Sequence, residues 1–343
     1  MRSVDSKAGA HEKENAVAGS VGIASYNNTS TAYIAEGAVV DARGPLTVAS
    51  SVSVPFEITW HKIEGVGDVV NKINSNGGLQ NGFFTTWAKS NLSTNDGEEV
   101  GKFGLAGAVN IADFNSSSRA YIGNNAQINK NADYKNGAQS VNVTSGVDVS
   151  TLNMAGIWGV TGAGTKSKVG LGGSYQQIGY KSNSSAEILS GADVETNNLS
   201  VTSDVDQRNI SIAEAGGKSE TFGFDGAFDW LKSDTSSKAF VAKDAKVKVE
   251  GTGGDKDKAL ISAKDNMDMF NIAGGVVKTQ NVGIGTSVSI SDITRNTQAF
   301  IGDIYDASQP TARTESGYFK SDKNIEISAE NGGDIYAYSL AGV

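Results

Sequence analysis

Residue types that support catalysis are sparse in this sequence. The two histidines, His11 and His61, lie far apart, and there is no cysteine. His11 has no second histidine at the spacing of a zinc-binding helix motif, so we interpret both histidines as surface residues. The sequence therefore offers few residues from which a Ser/His/Asp or Cys/His catalytic arrangement could form. The absence of cysteine also excludes disulfides and thiolate metal sites, and we predict no metal site.

Carboxylates occur in close pairs along the chain. The pairs are Asp204/Asp206, Asp255/Asp257, Asp265/Asp268 and Asp303/Asp306. Polysaccharide lyases and hydrolases built on β-solenoids use clustered carboxylates with a basic residue, either to hold calcium or as acid and base. The pairs fall in different repeats, and we interpret them as solvated turn residues. An enzyme of this kind would require two or more carboxylates and a basic residue on one face.

The glycine-rich segment 159–167 resembles a phosphate-binding loop only superficially. Lys166 comes one place too late for the Walker pattern, and the segment coincides with a glycine-rich return of the repeat. We therefore predict no nucleotide and no other cofactor.

Overall charge and hydropathy exclude two classes of partner. The formal net charge is −9, and no basic patch is present to follow a phosphate backbone, so we predict no nucleic-acid partner. No apolar run approaches the ~20 residues that a membrane-spanning helix needs. We predict no transmembrane segment.

The elements that position these residues come from an internal repeat. A unit at residues 20–40 recurs four times, and one alanine marks it throughout the chain. It falls at Ala32, Ala120, Ala186, Ala239 and Ala299. The spacings between these alanines are 88, 66, 53 and 60 residues. A fixed register with connections of varying length is typical of a solenoid.

Alternation of side chains within each unit predicts half-buried strands. Val21 and Ile23 face one way and Ser20, Gly22 and Ala24 the other, while Ala32 and Ile34 face the interior. With the fixed register of the repeats, this alternation predicts an all-β fold, a β-solenoid of about five imperfect repeats. At about 20 to 25 residues per coil and about 4.8 Å per coil, each unit would form two to three coils of a rod about 65–80 Å long.

One segment departs from the repeat. Residues 55–82 contain apolar residues at helical spacing, among them Val66 and Val69, and we predict a short helical insertion there. Aromatic residues are dense around it. The candidate partner-contact residues are Trp60, Val66, Val69, Phe83, Phe84 and Trp87. The alternative is that the insertion packs on the solenoid and these aromatics form its seam. The rest of residues 1–343 is predicted to be a single solenoid segment, which we expect to be an excerpt of a longer chain.

The repeated strings Ala-Tyr-Ile-Gly-Asn at 120–124 and Ala-Phe-Ile-Gly-Asp at 299–303 carry a family resemblance. With the alternating strands ahead of them, they resemble the passenger regions of large bacterial exoproteins, namely filamentous-haemagglutinin-like and leukotoxin-like proteins and autotransporter adhesins. The resemblance implies right-handed parallel β-helices, exported through an outer-membrane transporter to the surface of a Gram-negative bacterium or beyond. It brings no catalytic residues.

Three functions are compatible with the sequence. The first is a secreted or surface-exposed virulence exoprotein that contacts a host-cell receptor, protein or glycan, as an adhesin or a leukotoxin-type cytotoxin without catalysis. The second is a carbohydrate-active β-helix enzyme, and the third is a passive structural spacer.

Overall fold

A computed structural model describes residues 4–10, 15–54, 85–92, 101–156, 167–251, 258–303 and 317–343. Nearly all of them lie in strands, joined by tight turns and one 3₁₀ turn at Ala132–Tyr134. The strands are β1 (Val4–Ala10), β2 (Asn15–Ile34), β3 (Val39–Val40), β4 (Pro45–Val54), β5 (Thr86–Leu92), β6 (Gly101–Ile122), β7 (Gln127–Ile128), β8 (Ser140–Gly156), β9 (Ser167–Ile188), β10 (Asp193–Thr196), β11 (Asn198–Val241), β12 (Lys246–Val249), β13 (Lys258–Thr279), β14 (Val282–Ile301), β15 (Tyr318–Ser321), β16 (Asn324–Gly332) and β17 (Ile335–Gly342).

Every strand pair in the described ranges is parallel, which confirms the predicted all-β fold of β-solenoid type. The strands form one sheet of 12 strands and a short sheet of five, β15-β12-β10-β7-β3. The predicted helical insertion at 55–82 lies entirely outside the described residues.

Each sequence repeat forms one coil. The five repeat alanines are in-register neighbours in adjacent strands, with Ala32 paired to Ala120, Ala120 to Ala186, Ala186 to Ala239 and Ala239 to Ala299. The expectation of two to three coils per unit is wrong. The five stacked units advance by only about 20–25 Å, since neighbouring strands lie about 4.8 Å apart. The coils are larger than expected because the strands are longer.

A coil consists of two long arms and one rung of the short sheet. In β11 the chain folds back on itself. Two hydrogen bonds join its two halves: Ser211 Oγ donates to Asp229 Oδ1 at 2.8 Å, and Ser237 Oγ donates to Ser203 Oγ at 3.0 Å. Residues 198–217 form the first arm of this coil and residues 219–241 the second arm. The second arms of the stack are β2, β6, β9, this half of β11, and β14.

Small residues line the inner side of the second arm near the bend. Ser20 and Ala24 are buried, whereas Val21 is 59% exposed and Ile23 is 69% exposed. The two arms pack face to face, so bulky side chains point outward. Farther along the strand larger side chains turn inward, as predicted for Ile34, and its neighbour Ile122 is fully buried.

The main hydrophobic core lies where the two arms and the short sheet meet. Ile122 and Ile188 of the second arm belong to one buried cluster with Val143 of the first arm and with Ile128 and Val194 of the short sheet. Each such side chain contributes about 1.5–3 kcal/mol by leaving water. Each coil buries its stripe against its neighbours, as expected for a solenoid.

Between the two arms the interior is partly polar. Seven serines form a continuous chain of six hydroxyl hydrogen bonds of 2.9–3.0 Å that crosses the coils. The members of this serine chain, in bonded order, are Ser30, Ser50, Ser118, Ser145, Ser184, Ser203 and Ser237. A hydroxyl both donates and accepts, so each inner member can satisfy its neighbour on either side.

Candidate functional site

The predicted partner-contact residues fall mostly outside the described part of the chain. This is the position of Trp60, Val66, Val69, Phe83 and Phe84. Trp87 is described. It lies in β5, in register with Met154, and is 1% exposed. Its ring therefore offers no surface to a partner in this structure.

Side chains on the outer side of the first-arm sheet near Trp87 are also buried. Leu152, Met154, Ile210 and Ile212 belong to this group, and each is 2% exposed or less. Both sides of the first-arm sheet are thus shielded from solvent at this end. A partner that contacts the first arm has to approach it elsewhere.

Several other sequence candidates lie outside the described residues. They are His11, His61, the Asp255/Asp257 pair, Asp306 and nearly all of the glycine-rich segment 159–167. In the part of the chain that the structure describes, no group of three or more His, Cys, Asp or Glu residues is arranged to hold a metal ion. Within the same ranges, no helix is long and apolar enough to cross a membrane.

The interpretation of the carboxylate pairs as turn residues is wrong for two of them. Asp204 and Asp206 lie within β11, and Asp265 and Asp268 lie within β13. Asp265 is fully buried and accepts from Arg295 at 2.9 Å. The turns were misplaced because these strands are far longer than the short strands expected from the repeat.

Three carboxylates of the predicted pairs, together with Asp148 of the neighbouring coil, line the outer side of the first arm on adjacent coils. We name this surface the carboxylate strip. It consists of Asp148, Asp204, Asp206 and Asp268, with Arg208 and Lys264 among them. Asp148 and Asp206 are in register on neighbouring strands, and Arg208 is in register with Asp268. Arg208 forms an ion pair with Asp206.

Two carboxyl groups of the strip hold their protons more tightly than usual. Burial raises the pKa of Asp206, and the charges of Asp148 and Asp268 raise it further against the opposing effect of Arg208. Burial also raises the pKa of Asp204, and Lys264 opposes that shift. Carboxylates from neighbouring coils thus share one face with a basic residue. A raised pKa is what a general acid requires, so this surface meets the condition set for the enzyme alternative.

A second surface follows the family-like strings. The residue after the repeat alanine points outward, and the five such residues stack in register: Tyr33, Tyr121, Glu187, Phe240 and Phe300. We name this column the aromatic ladder. The Tyr33 and Tyr121 rings stack with centroids 5.1 Å apart, and the Phe240 and Phe300 rings stack at 4.9 Å.

A charged pair holds the middle of the aromatic ladder in place. Arg119 donates to both carboxylate oxygens of Glu187, at 3.0 and 2.5 Å, and its guanidinium lies 4.3 Å from the centre of the Tyr121 ring. The bidentate pair fixes the planar guanidinium over the aromatic face. Tyr33, at the outer end, is 58% exposed.

Sequence reasoning did not single out the aromatic ladder, although a signal was present. The position after the repeat alanine is aromatic in four of the five units. An aromatic residue that alternates with buried Ala and Ile must point away from the core.

No family model, curated protein or solved structure matches this chain.

Proposed function

We propose that this chain is a segment of a secreted or surface-exposed bacterial exoprotein that acts by contact with a host cell and without catalysis. An adhesin and a leukotoxin-type cytotoxin are the two forms of this proposal, with export through an outer-membrane transporter. The observation that carries it is the aromatic ladder, which the family-like strings build at the same place in successive coils.

The chemistry of the ladder suits recognition of a protein or glycan receptor. Tyr33, Tyr121 and Arg119 belong to the residue types that dominate binding energy in protein interfaces. Their geometry is fixed before binding, since Tyr33 stacks on Tyr121 and Glu187 holds Arg119. A preorganised patch loses little conformational entropy when a partner docks.

A cell-binding assay tests this proposal. We expect the double variant Tyr33→Ala/Tyr121→Ala to bind host cells about tenfold more weakly than the unmodified chain, as truncation of interface anchors generally does. Tyr318→Ala, which removes an exposed tyrosine from the short sheet, is the matched control. Equal binding by all three proteins would contradict the role of the ladder. No binding by the unmodified chain would favour the spacer.

The predicted contact through the insertion is a separate part of the proposal. Deletion of residues 55–82 is expected to weaken cell binding if that segment touches the receptor. Circular dichroism provides the control, since the β-sheet signal has to survive the deletion. Full binding with an intact fold would assign contact to the ladder alone.

The carboxylate strip supports a carbohydrate-active enzyme as a second candidate. In that case Asp206, whose pKa is raised, would protonate the departing sugar oxygen, and Asp148 would act as base or nucleophile. Release of reducing ends from a panel of acidic and neutral polysaccharides tests this. Asp206→Asn is expected to abolish release, whereas Asp292→Asn on the second arm preserves it. A chain that releases no sugar from any substrate is not this enzyme.

A further inference from the structure

The outer side of the second-arm sheet carries an uncharged, apolar surface near the bend. We define the apolar face as the outward side chains of residues 15–23 in β2 and of their in-register neighbours in β6, β9, β11 and β14. One of its columns runs through Val21, Val109, Tyr175, Phe228 and Val288. Exposure remains high at both ends, at 59% for Val21 and 46% for Val288.

A groove floored by glycine crosses this face. The column beside that of Val21 consists of Gly19, Gly107, Gly173 and Gly226. Thr286 takes the equivalent position in β14, at the end of the column. A Cβ added at Gly19 or Gly107 would meet no atom within 4 Å, and no glycine of the column has a positive φ.

Nothing local to Gly19 or Gly107 requires a glycine, yet glycine weakens a strand. Glycine within a strand often marks a place where another backbone or a ligand approaches closely. The column therefore points to an occupant that comes from outside the coil.

We propose that the apolar face is a homodimer interface, with a second copy of this chain packed sheet against sheet. The ridge of the Val21 column lies directly beside the glycine groove. A two-fold axis parallel to the columns, midway between ridge and groove, places each ridge in the groove of the other copy. The column of Ile23 then faces the column of Val17, so that apart from Gln177 apolar side chains meet across the interface. Such isologous packing is the commonest form of dimer, at the usual sheet separation of about 10 Å.

The size of the face fits a stable dimer. Five strands at about 4.8 Å and eight residue steps at about 3.4 Å give roughly 600 Å² in projection. A standard interface buries about 800 Å² of accessible surface per partner. Because side chains protrude from the sheet, the accessible area of the face exceeds its projected area. The face is therefore comparable in size with one side of a standard interface.

Charge distribution also favours a second copy. None of the 25 outward positions of the face is charged, although the whole chain carries a net charge of −9. The four columns from Val17 to Ile23 can therefore meet their counterparts without burying like charges, while the Asn15 column lies at the edge, opposite the column of Ser25. The face is separated from the aromatic ladder by polar columns such as that of Ser25, Asp113, Gly179, Lys232 and Asp292. The dimer therefore leaves the proposed receptor contact free and does not depend on it.

Analytical ultracentrifugation of the full chain tests the dimer. We expect the unmodified chain to dimerise with concentration, and Val109→Lys to raise the dissociation constant at least about tenfold by burying a charge in the interface. Ser200→Lys adds the same charge on the outer side of the first arm and is expected to leave the constant unchanged. An unmodified chain that stays monomeric at every concentration, or a dimer that tolerates Val109→Lys, overturns the proposal.

Filling the groove gives a test that does not depend on weakening the fold. A Cβ at Gly107 meets no atom within 4 Å in the monomer, and valine favours the strand conformation, so we expect Gly107→Val to fold. We expect unchanged or higher thermal stability of the monomer together with about tenfold weaker dimerisation. We also expect dimerisation to persist at high salt, because no charges meet in the interface. A dimer that is unaffected by Gly107→Val, or that salt dissociates, contradicts the assignment.

Discussion

Ser211 donates a 2.8 Å hydrogen bond to Asp229, although both residues belong to β11 and are 18 residues apart in sequence. The bond crosses the interior from one arm to the other. It links the two arms and involves a carboxyl group that is fully buried in the core. Burial raises the pKa of Asp229 to about 8, against the lowering effect of hydrogen bonds from Ser211 and Gln176. Asp229 therefore keeps its proton in the folded chain at neutral pH.

Asp229 is expected to make the fold less stable as the pH rises. The folded pKa of about 8 lies above the ordinary value of 3.8, so the folded state binds the proton that the unfolded state loses. Stability falls between about pH 4 and pH 8 by up to about 1.4 kcal/mol per pH unit and is unaffected by this group below that window. Asp229→Asn should flatten the slope.

Urea unfolding at pH 6, 7 and 8 checks this expectation. Burial also raises the pKa of Asp225, to about 6, so measurements above pH 6 reduce the contribution of Asp225 to the slope. Asp292→Asn, at an exposed position, is the matched control. Equal pH slopes for Asp229→Asn and the unmodified chain would show that Asp229 is ionised when folded.

Arg295 and Asp265 form the ion pair that should matter most for stability. The Asp265 side chain is fully buried and that of Arg295 is 17% exposed, with its guanidinium 2.9 Å from the carboxylate. Arg295→Met leaves a buried charge without compensation, and we expect a loss of about 3–5 kcal/mol. Lys258→Met removes the exposed pair with Glu326 and should cost less than about 1 kcal/mol.

A double-mutant cycle measured by chemical unfolding separates the pair from its parts. Arg295→Met/Asp265→Leu is expected to be more stable than Arg295→Met alone, because no charge stays buried. Additive losses would mean that the two side chains do not interact.

The register of the stack was predictable from the sequence, whereas the size of the coil was not. The spacing from Val21 to Val109 equals that from Ala32 to Ala120, and both pairs are in-register neighbours. Identical spacing reports which residues are equivalent and gives no information on how many strands lie between them. The bend inside β11 has no proline, and its glycines at 216 and 217 resemble others that lie within straight strands.

Contacts between the two arms were also not predictable from the sequence, because the contacting residues are far apart along the chain. Asp265 was assigned to a solvated turn because its partner, Arg295, lies 30 residues away on the other arm. Alternation alone also does not decide which side of a strand is buried. Val21 and Ile23 are more apolar than Ser20 and Gly22, yet they face outward, because the two arms approach too closely for bulky side chains at that level.

Gly123, the glycine of the Ala-Tyr-Ile-Gly string, is expected to be intolerant of any side chain. A Cβ there would lie 2.7 Å from both the backbone nitrogen of Glu36 and the carbonyl oxygen of Ile34 in the preceding coil. Backbone atoms move little, so Gly123→Ala should cost about 1–3 kcal/mol. Gly146→Ala, where an added Cβ meets nothing within 4 Å, should be neutral or stabilising by about 0.5–1 kcal/mol. Thermal unfolding of the two variants compares them directly, and equal effects would contradict the close approach of the coils.

Ser145 is the central member of the serine chain and has no exposed surface. Its hydroxyl donates to Ser118 at 3.0 Å and accepts from Ser184 at 2.9 Å. Ser145→Ala leaves both neighbours with a buried hydroxyl short of one partner, and we expect a loss of about 1–3 kcal/mol. Ser200→Ala, on the outer side of the first arm, should change stability by less than about 0.5 kcal/mol. Hydrogen exchange adds a structural readout, since a broken chain should speed exchange in β8 and in the neighbouring first-arm half of β11. Equal stability of the two variants would mean that the hydroxyl chain contributes no net stabilisation to the fold.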